Sequence, residues 1–470
     1  MGEVCQAVKS VLEILREKES FLRTVRRPGD REFTLATQSC GPVVPWSSLS
    51  AMNVELINTG TELMLGRVLN THQQWLCRRL ADMGYVVARQ VAVADSAREI
   101  EQAAREALAR ADLVVTTGGL GPTAADLTRE SLARLLGRSL REDPAVRAGI
   151  EALFQRRGRP VPQRARLQAM VPEGALVLPN AHGTAPGLAL ELAPNPFRRT
   201  GHPSWLILLP GPGRELRPMF NEVVAPLLAR VLPPPAGFVC RTLRTTGIGE
   251  SLVEEAVAGP LRDLVKAGLD LGYCARPGAV DVRLAAAGAR AQECVDQAER
   301  IVTALLGDSL YGTGEEELEA VVVRRLASRG KTLAVAESCT GGCIAHRLTN
   351  VPGASAVLLA GWVTYSNEAK RHFLGVLPET LAGHGAVSEP VARQMAEGAR
   401  RQTGADYALA VTGIAGPAGG TADKPVGTAF VALAGPSPTL VERYFNPYDR
   451  ETFKQVTSQQ ALDLLRRKAE

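Results

Sequence analysis

The stretch DLVVTTGGLG, residues 112–121, indicates the fold class of the first half of the chain. It joins an apolar, strand-like run to a glycine-rich turn. The preceding residues alternate in the same way between strand-like and helix-like segments, at residues 53–60, 70–84, 85–93 and 96–111. Strands that alternate with helices predict a parallel, doubly wound sheet, whose ligands bind where strand ends meet helix N-termini.

Breaks in composition divide the rest of the chain. Three consecutive prolines at 233–235 follow a first domain, which we assign to residues 52–230. Residues 236–312 have a β-α-β-β-α pattern, and residues 315–470 return to alternating helices and strands. We therefore predict an α/β protein with two α/β layered domains, each with a mainly parallel sheet, joined by a small α+β domain.

Residues 1–51 differ from the remainder. An amphipathic pattern at residues 4–22 is followed by a Pro/Ser/Thr-punctuated stretch without a clear period. The segment is either an N-terminal extension, in part disordered, or the product of a mis-assigned start codon with Met52 as the natural start.

Charge and composition exclude several classes. The 470 residues carry 54 basic and 49 acidic side chains, a net charge of +5, which permits a small anionic ligand without requiring a nucleic-acid surface. No apolar run approaches the roughly 18 to 20 residues that span a bilayer. No secretion signal is evident, and the eight cysteines include no CxxC pair. We expect a cytoplasmic protein without a membrane partner.

The segment KTLAVAESCTGG, residues 331–342, carries the sharpest chemical signal. A β-run stops at Ser338, which is a candidate nucleophile or a plain helix N-cap. Cys339 is an alternative nucleophile or a small core residue. The backbone N–H groups that follow, at the start of a helix, are available for an anion or an oxyanion.

A serine nucleophile requires a base, and Lys370 is the candidate. It follows a buried strand in WVTYSNEAK, where desolvation would lower its pKa. Tyr365 ends that strand and could relay a proton or polarise the lysine. The alternative is an ordinary surface lysine at the start of a helix.

A glycine-rich turn at residues 410–420, AVTGIAGPAGG, contains Thr412, Gly413 and Gly416. Such a turn can present N–H groups to a phosphate, or it can be a tight turn and nothing more. Arg450 opens the last helix and could add a phosphate-binding guanidinium; otherwise it is a solvated side chain.

These elements together resemble the C-terminal domain of the CinA family, competence/damage-inducible protein A. The resemblance rests on AESCTGG, VPGAS, YSNEAK, GAVSE, AVTGIAGPAGGT and KPVGT, over about 150 residues. It implies hydrolysis of nicotinamide mononucleotide to nicotinate mononucleotide and ammonia, without a cofactor, by Ser338, Lys370 and Tyr365. The implied substrate-binding residues are Thr340, Gly341, Gly342, Thr412, Gly413, Gly416 and Arg450. The resemblance also implies a homodimer, because family members form homodimers.

The first domain resembles the molybdopterin-binding-like half of CinA proteins, through NTGTELMLGRVLNTH, TTGGLGPTAADLT and LLPGPGRELRPMF. The resemblance implies that it binds ADP-ribose and, with a divalent metal, hydrolyses it. The implied nucleotide-binding residues are Gly60, Thr61, Glu62, Gly66, Asn70, Thr117, Gly118, Gly119, Gly121 and Thr123.

Two departures from the family pattern bear on that activity. Where the family usually has two adjacent acids, this chain has Ala125 followed by Asp126. His72 stands where the family often has an asparagine. Glu62, Asp126 and Thr128 could still ligate a divalent cation through oxygen, with Asp126 the retained metal candidate. Two alternatives stay open: a molybdopterin-binding protein, and a non-catalytic accessory protein in competence or DNA damage.

The central unit resembles a KH domain. KH domains clamp nucleic-acid backbones with a GxxG loop, but here the loop is GIGE, residues 247–250, with an acidic residue. Arg241 and Arg244 precede it, and no aromatic stacking platform is evident. We expect a structural spacer that does not bind nucleic acid.

Overall fold

The computed structural model describes residues 52–234 and 237–469. The predicted N-terminal extension, residues 1–51, lies outside the described residues. Within the described part, the chain is a mixed α/β protein with two α/β domains and a small antiparallel α+β domain between them.

The first domain is built on a six-stranded sheet. In spatial order β2-β1-β3-β8-β7-β6, the first four strands are parallel and the last two run antiparallel to their neighbours. The strands are β1 (Val54–Thr59), β2 (Val87–Val93), β3 (Leu113–Thr117), β6 (Leu176–Leu178), β7 (Gly187–Leu192) and β8 (Ser204–Leu209), and a separate pair is formed by β4 (Leu140–Glu142) and β5 (Met170–Pro172). β1 and β3 are entirely buried, as expected for central strands of a sheet that is covered on both faces.

Helices cover both faces of this sheet, since two separate clusters of buried apolar side chains pack against it. They are α1 (Thr61–Met64), α2 (Thr71–Asp82), α3 (Ala97–Leu108), α4 (Thr128–Leu135), α5 (Pro144–Arg156), α6 (Gln163–Arg166), α7 (Gly213–Met219) and α8 (Ala225–Val231), with short 3-10 and π segments at Leu167–Ala169 and Phe220–Val224. The glycine turn after β3 predicts a helix from about residue 124, whereas α4 begins at Thr128. It begins later because the Asp126 carboxylate closes a turn on Thr123.

The central domain has an antiparallel sheet in the order β10-β11-β9-β12. Its elements are β9 (Val239–Thr246), α9 (Glu250–Lys266), β10 (Asp270–Arg276), β11 (Ala279–Ala286), α10 (Ala291–Leu306), a 3-10 turn (Gly307–Ser309) and β12 (Leu310–Thr313). This is the predicted β-α-β-β-α pattern with one added strand.

Both arginines before the GIGE loop are paired with acids. Arg241 bonds to Asp296 and Glu299, and Arg244, only 2% exposed, bonds to Asp281 and Glu317. A phosphate backbone would have to compete with these carboxylates for either guanidinium. The pairing favours the spacer interpretation over nucleic-acid binding.

The third domain has a five-stranded sheet in the order β14-β13-β15-β16-β17. β14, β13 and β15 are parallel, whereas β16 runs antiparallel to β15 and β17 runs antiparallel to β16. The elements are α11 (Leu318–Ser328), β13 (Leu333–Glu337), α12 (Cys343–Thr349), a 3-10 turn (Ala354–Ala356), β14 (Leu358–Val363), α13 (Asn367–Leu374), α14 (Pro378–His384), α15 (Glu389–Thr403), β15 (Tyr407–Gly413), β16 (Thr428–Ala434), β17 (Leu440–Phe445) and α16 (Arg450–Lys468).

None of the helices in the described residues is long and apolar enough to cross a membrane.

Close packing of α15 on α13 gives a stability prediction. A Cβ at Gly398 would lie 1.9 Å from the carbonyl oxygen of Leu374, a backbone atom that cannot move freely. We expect Gly398→Ala to destabilise the C-terminal domain by about 2 to 3 kcal/mol through overpacking. Gly259→Ala is the control, because Gly259 lies in α9 with open space around it and should gain roughly 0.5 to 1 kcal/mol. Equal urea midpoints for the two variants would refute this packing account.

Candidate functional site

Three parallel strands bring the C-terminal candidate residues to one edge of the sheet. β13 lies between β14 and β15, and all three end at this edge. Ser338 follows β13, Tyr365 follows β14, and Gly413 ends β15. The carboxyl edge of parallel strands is where α/β folds place their ligands.

Ser338 and Lys370 are in direct contact. The Lys370 Nζ lies 3.0 Å from the Ser338 Oγ, although 32 residues separate them in sequence. Ser338 is 8% exposed and Lys370 1% exposed, so the pair is almost fully removed from water. Lys370 reaches the serine from the first turn of α13, whose cap is the side chain of Ser366. The alternative of an ordinary surface lysine is therefore wrong.

Burial lowers the pKa of Lys370 below that of an exposed lysine. Among the described residues its amine has no carboxylate partner, and it donates to the backbone carbonyls of Thr364, at 2.7 Å, and Tyr365, at 3.4 Å. A buried lysine without a counter-charge favours its neutral form. The neutral amine is the form that can accept a proton.

Cys339 is a poor alternative nucleophile. Its side chain is 5% exposed and packs in the core of the domain. Burial raises the pKa of its thiol to about 12. Since the thiolate is the reactive form of cysteine, Cys339 is inert at neutral pH.

Tyr365 contacts Lys370 through its backbone carbonyl oxygen. Its side chain is 61% exposed, and its hydroxyl accepts a hydrogen bond of 2.6 Å from Arg450. A second Arg450 nitrogen donates to the carbonyl of Gly416 at 2.9 Å. The tyrosine hydroxyl is thus positioned by Arg450, and its predicted role as a proton relay stays a prediction. That arginine is consequently fixed near the site.

The backbone N–H groups at the start of α12 already have a hydrogen-bond acceptor within the protein. The Glu337 carboxylate, 1% exposed, accepts hydrogen bonds from the N–H groups of Gly342, Ile344 and Ala345. The Gly341 N–H donates to the Ser338 carbonyl. The predicted anion-binding role of Gly341 and Gly342 is therefore corrected: their N–H groups hold the Ser338 turn in shape.

Thr340 is buried in the same turn. Its side chain is fully buried, and its hydroxyl has no hydrogen-bond partner among the described residues. Thr340 thus lines the interior of the turn that presents Ser338.

The glycine turn after β15 is also explained by packing. A Cβ at Gly413 would lie within 3.1 Å of Thr428, Cys339 and Phe453, and one at Gly416 would meet Val426 at 2.6 Å. The Thr412 hydroxyl donates to the Ala386 carbonyl. The glycines are needed for close approach, and the predicted contact of this turn with a phosphate stays a prediction.

The first domain has a cleft of about 560 Å³ at the carboxyl ends of β1 and β3. Most of the predicted nucleotide-binding residues line it, namely Gly60, Glu62, Asn70, Thr117, Gly118, Gly119, Gly121, Thr123 and also Asp126. Thr61 and Gly66 do not line this cleft. The Thr61 N–H donates to Asp95, and Gly66 lies in open space.

The glycine turn in this cleft presents unpaired amides. Gly118 and Gly119 have φ of 95° and 67°, conformations that favour glycine. The N–H groups of Gly119, Leu120 and Gly121 donate to no protein acceptor within the described residues. Consecutive free N–H groups in such a turn form a binding site for a phosphate.

The carboxylates of the cleft do not form a metal site. Asp126 accepts from the Thr123 N–H at 2.8 Å and from its hydroxyl, and the buried Thr128 hydroxyl pairs with Thr59. Residues 52–234 and 237–469 contain no group of three or more His, Cys, Asp or Glu side chains that could hold a metal ion. The candidate set of Glu62, Asp126 and Thr128 thus does not fit a divalent cation.

Sequence reasoning missed several residues of these sites. Glu337 accepts hydrogen bonds from the N–H groups at the start of α12. Its position at the end of a strand, directly before Ser338, could have indicated this role. Asp95, Gln168 and Glu215 line the first-domain cleft, each from a segment distant in sequence. Asp95 follows β2, and its position at a strand end was the one local indication.

The fold and the buried Ser338–Lys370 contact define a multidomain α/β protein with a serine–lysine site at a sheet edge. Three family models match in order: "Probable molybdopterin binding domain" at residues 55–230, "Damage-inducible protein CinA KH domain" at 240–312 and "CinA C-terminal domain" at 315–469. The chain belongs to the CinA family.

Similar proteins align with most of the length of this chain. A CinA-like protein of Akkermansia muciniphila is 45% identical over 415 residues, covering 88% of this chain and 97% of that protein. A CinA-like protein of Gemmatimonas aurantiaca is 41% identical over 423 residues, covering 88% and 96%. The solved competence/damage inducible protein CihA of Agrobacterium tumefaciens is 42% identical, covers 32% of this chain and 94% of its own, and has a TM-score of 0.31.

Proposed function

We propose that the C-terminal domain is an amidohydrolase that converts nicotinamide mononucleotide to nicotinate mononucleotide and ammonia. The observation that supports this most strongly is the buried contact of 3.0 Å between Lys370 and Ser338. The substrate comes from the family resemblance. Its chemistry suits the site, because the pyridinium ring withdraws electrons from the 3-carboxamide and makes its carbonyl carbon open to attack.

The first half of the reaction forms an ester on Ser338. A neutral amine has two N–H bonds, and the carbonyls of Thr364 and Tyr365 can accept both, which leaves the Lys370 lone pair facing the serine hydroxyl. Lys370 takes the Ser338 proton as Oγ attacks the carboxamide carbon. The same proton then passes to the carboxamide nitrogen, the C–N bond breaks and ammonia leaves.

The second half hydrolyses the ester. Lys370, neutral again, takes a proton from water, whose oxygen attacks the ester carbon. The bond to Ser338 Oγ breaks and the serine regains a proton from Lys370. Nicotinate mononucleotide leaves as the carboxylic acid, which loses its proton in solution to the released ammonia. One water is consumed, and no redox partner or cofactor is needed.

Ammonia release from nicotinamide mononucleotide by the purified chain tests this function. We expect steady release in the wild-type protein and none above background with ADP-ribose as the added compound. Absence of release from nicotinamide mononucleotide under conditions where the protein is folded would overturn the proposal.

For the first domain we propose binding of ADP-ribose, with its diphosphate on the free N–H groups of Gly119, Leu120 and Gly121. The cleft volume and these amides support the proposal. The carboxylates do not fit a metal ion, so we propose no hydrolytic step there. A molybdopterin remains a competing ligand for the same amides, because it also carries a phosphate.

Titration calorimetry with ADP-ribose tests this binding. Gly119→Ala should abolish it, because a Cβ there would lie 2.0 Å from the Thr128 hydroxyl and displace the turn. Gly66→Ala is the control, since Gly66 is a glycine of positive φ in open space away from the cleft. Circular dichroism and urea denaturation of each variant report whether the first domain is folded. Binding of a pterin but not of ADP-ribose would reverse the assignment.

A further inference from the structure

Helix α16 buries polar side chains as well as its apolar face. Ser458, Gln459 and Asp463 are all buried, although polar side chains of this kind are mostly exposed in proteins. The element that covers them belongs to the central domain. A Cβ on Gly278, at the tip of the hairpin formed by β10 and β11, would lie 3.2 Å from the side chain of Gln459. The hairpin tip therefore packs directly on α16.

The side-chain amide of Gln459 is bonded to both domains. Its Nε2 donates to the hydroxyl of Thr246, the last residue of β9, at 3.2 Å, and its Oε1 accepts from Arg347 of α12 at 2.6 Å. The Thr246 hydroxyl donates its own proton to the Gly278 carbonyl at 3.0 Å. A hydroxyl can donate once and still accept, so these bonds form together. A continuous series of hydrogen bonds thus joins the hairpin to α12.

The two helices that Gln459 connects both border the candidate active site. α12 follows the turn that presents Ser338, and α16 begins at Arg450, whose guanidinium bonds to the Tyr365 hydroxyl. Arg450 is among the substrate-binding residues that the family resemblance implies. A helix is a rigid element, so a displacement of α16 at Gln459 also moves its first turn.

We infer that the hairpin of the central domain positions α16 for the amidase reaction, with Thr246 and Gln459 as the positioning residues. The inference rests on the proposed amidase function and gives the central domain a part in it. Neither residue reaches the reacting atoms, because Ser338 and Lys370 meet through β13 and α13. Loss of the hairpin bond should therefore weaken substrate binding and leave the chemical step unchanged.

Two adjacent threonines of β9 form a matched pair for the test. Thr245 and Thr246 are both buried, and each hydroxyl donates to a carbonyl of the same hairpin, at 2.7 Å to Val280 and at 3.0 Å to Gly278. Successive residues of a strand point to opposite faces, so Thr246 faces Gln459 and Thr245 faces away from it. Valine at either position removes one buried hydroxyl from the central domain at nearly constant volume.

Steady-state kinetics with nicotinamide mononucleotide measure the effect on the full-length chain. Thr246→Val should raise KM about fivefold and keep kcat within about twofold, since one buried hydrogen bond between the domains is lost. Thr246→Ser keeps the hydroxyl and should restore the wild-type KM. Thr245→Val should lose a comparable amount of stability in urea without any change in KM. An unchanged KM in Thr246→Val, or equal increases in both valine variants, would overturn the inference.

Hydrogen–deuterium exchange separates this inference from the amidase proposal, because it requires no turnover. Thr246→Val should speed the exchange of the amides in residues 450–457 of α16 and in α12, whereas Thr245→Val should not. Unchanged exchange at both helices in Thr246→Val would overturn the positioning role even if ammonia is released. Faster exchange at these helices in a protein that releases no ammonia would sustain the positioning role and reject only the amidase.

Discussion

Ser338→Ala is expected to lower ammonia release from nicotinamide mononucleotide by about 10⁴-fold or more, with the fold unchanged. Loss of a nucleophile removes the covalent route, and losses of this size are typical where nucleophile and base act as a unit. The turn itself should persist, because the Glu337 carboxylate and the Ser338 main chain hold it. Ammonia assays and urea denaturation on the same preparations measure the two effects.

The control for this variant is Cys339→Ala. Cys339 is adjacent in sequence but buried among apolar side chains, and its thiol is protonated at neutral pH. Its replacement should retain most of the activity, with some loss of stability from the smaller side chain. If Cys339→Ala were inactive and Ser338→Ala active, the assigned nucleophile would be the wrong one of the pair.

The second large effect is expected from Lys370. Lys370→Met fills the buried space without a titratable group, and Lys370→Arg keeps a cation that cannot be deprotonated in a protein. Both variants should lose activity by at least about 10³-fold if the neutral amine is the base. Substantial activity in the arginine variant would instead mean that the lysine contributes through its positive charge.

The pH dependence of kcat/KM gives an independent check on the same residue. The active form is the neutral amine, so the rate rises as pH increases through the Lys370 pKa. Burial lowers that pKa, and the rate should therefore level off below the value of about 10.4 that an exposed lysine has. A profile that was still rising at pH 10 would contradict a desolvated base.

The architecture could be predicted from sequence because it follows from periodicity. The apolar runs of β1, β3 and β13 and the glycines that end them are local signals, and local signals set strands and turns. The order of the strands in each sheet is set by long-range pairing. The antiparallel half of the third sheet was not predicted for that reason.

The contact between Ser338 and Lys370 could not be derived from spacing. It depends on β13 and β14 being neighbours, which periodicity does not show. The family resemblance implied that the two residues act together but not how the strands are ordered. Gly413 and Gly416 were interpreted as ligand contacts because a glycine-rich turn is a signal that the sequence shows. The neighbouring side chains and backbone atoms that also require glycine at these positions are visible only in the structure. Asp126 was misassigned in the same way, since its Thr123 partner closes a turn only in three dimensions.

The most direct test of the central claim is mass spectrometry of the protein quenched in acid during its first turnover of nicotinamide mononucleotide. The account predicts an ester of nicotinate mononucleotide on the peptide that contains Ser338, formed together with the first ammonia and absent from Ser338→Ala. First-turnover ammonia without any adduct, or an adduct on Cys339, would contradict a serine nucleophile activated by Lys370.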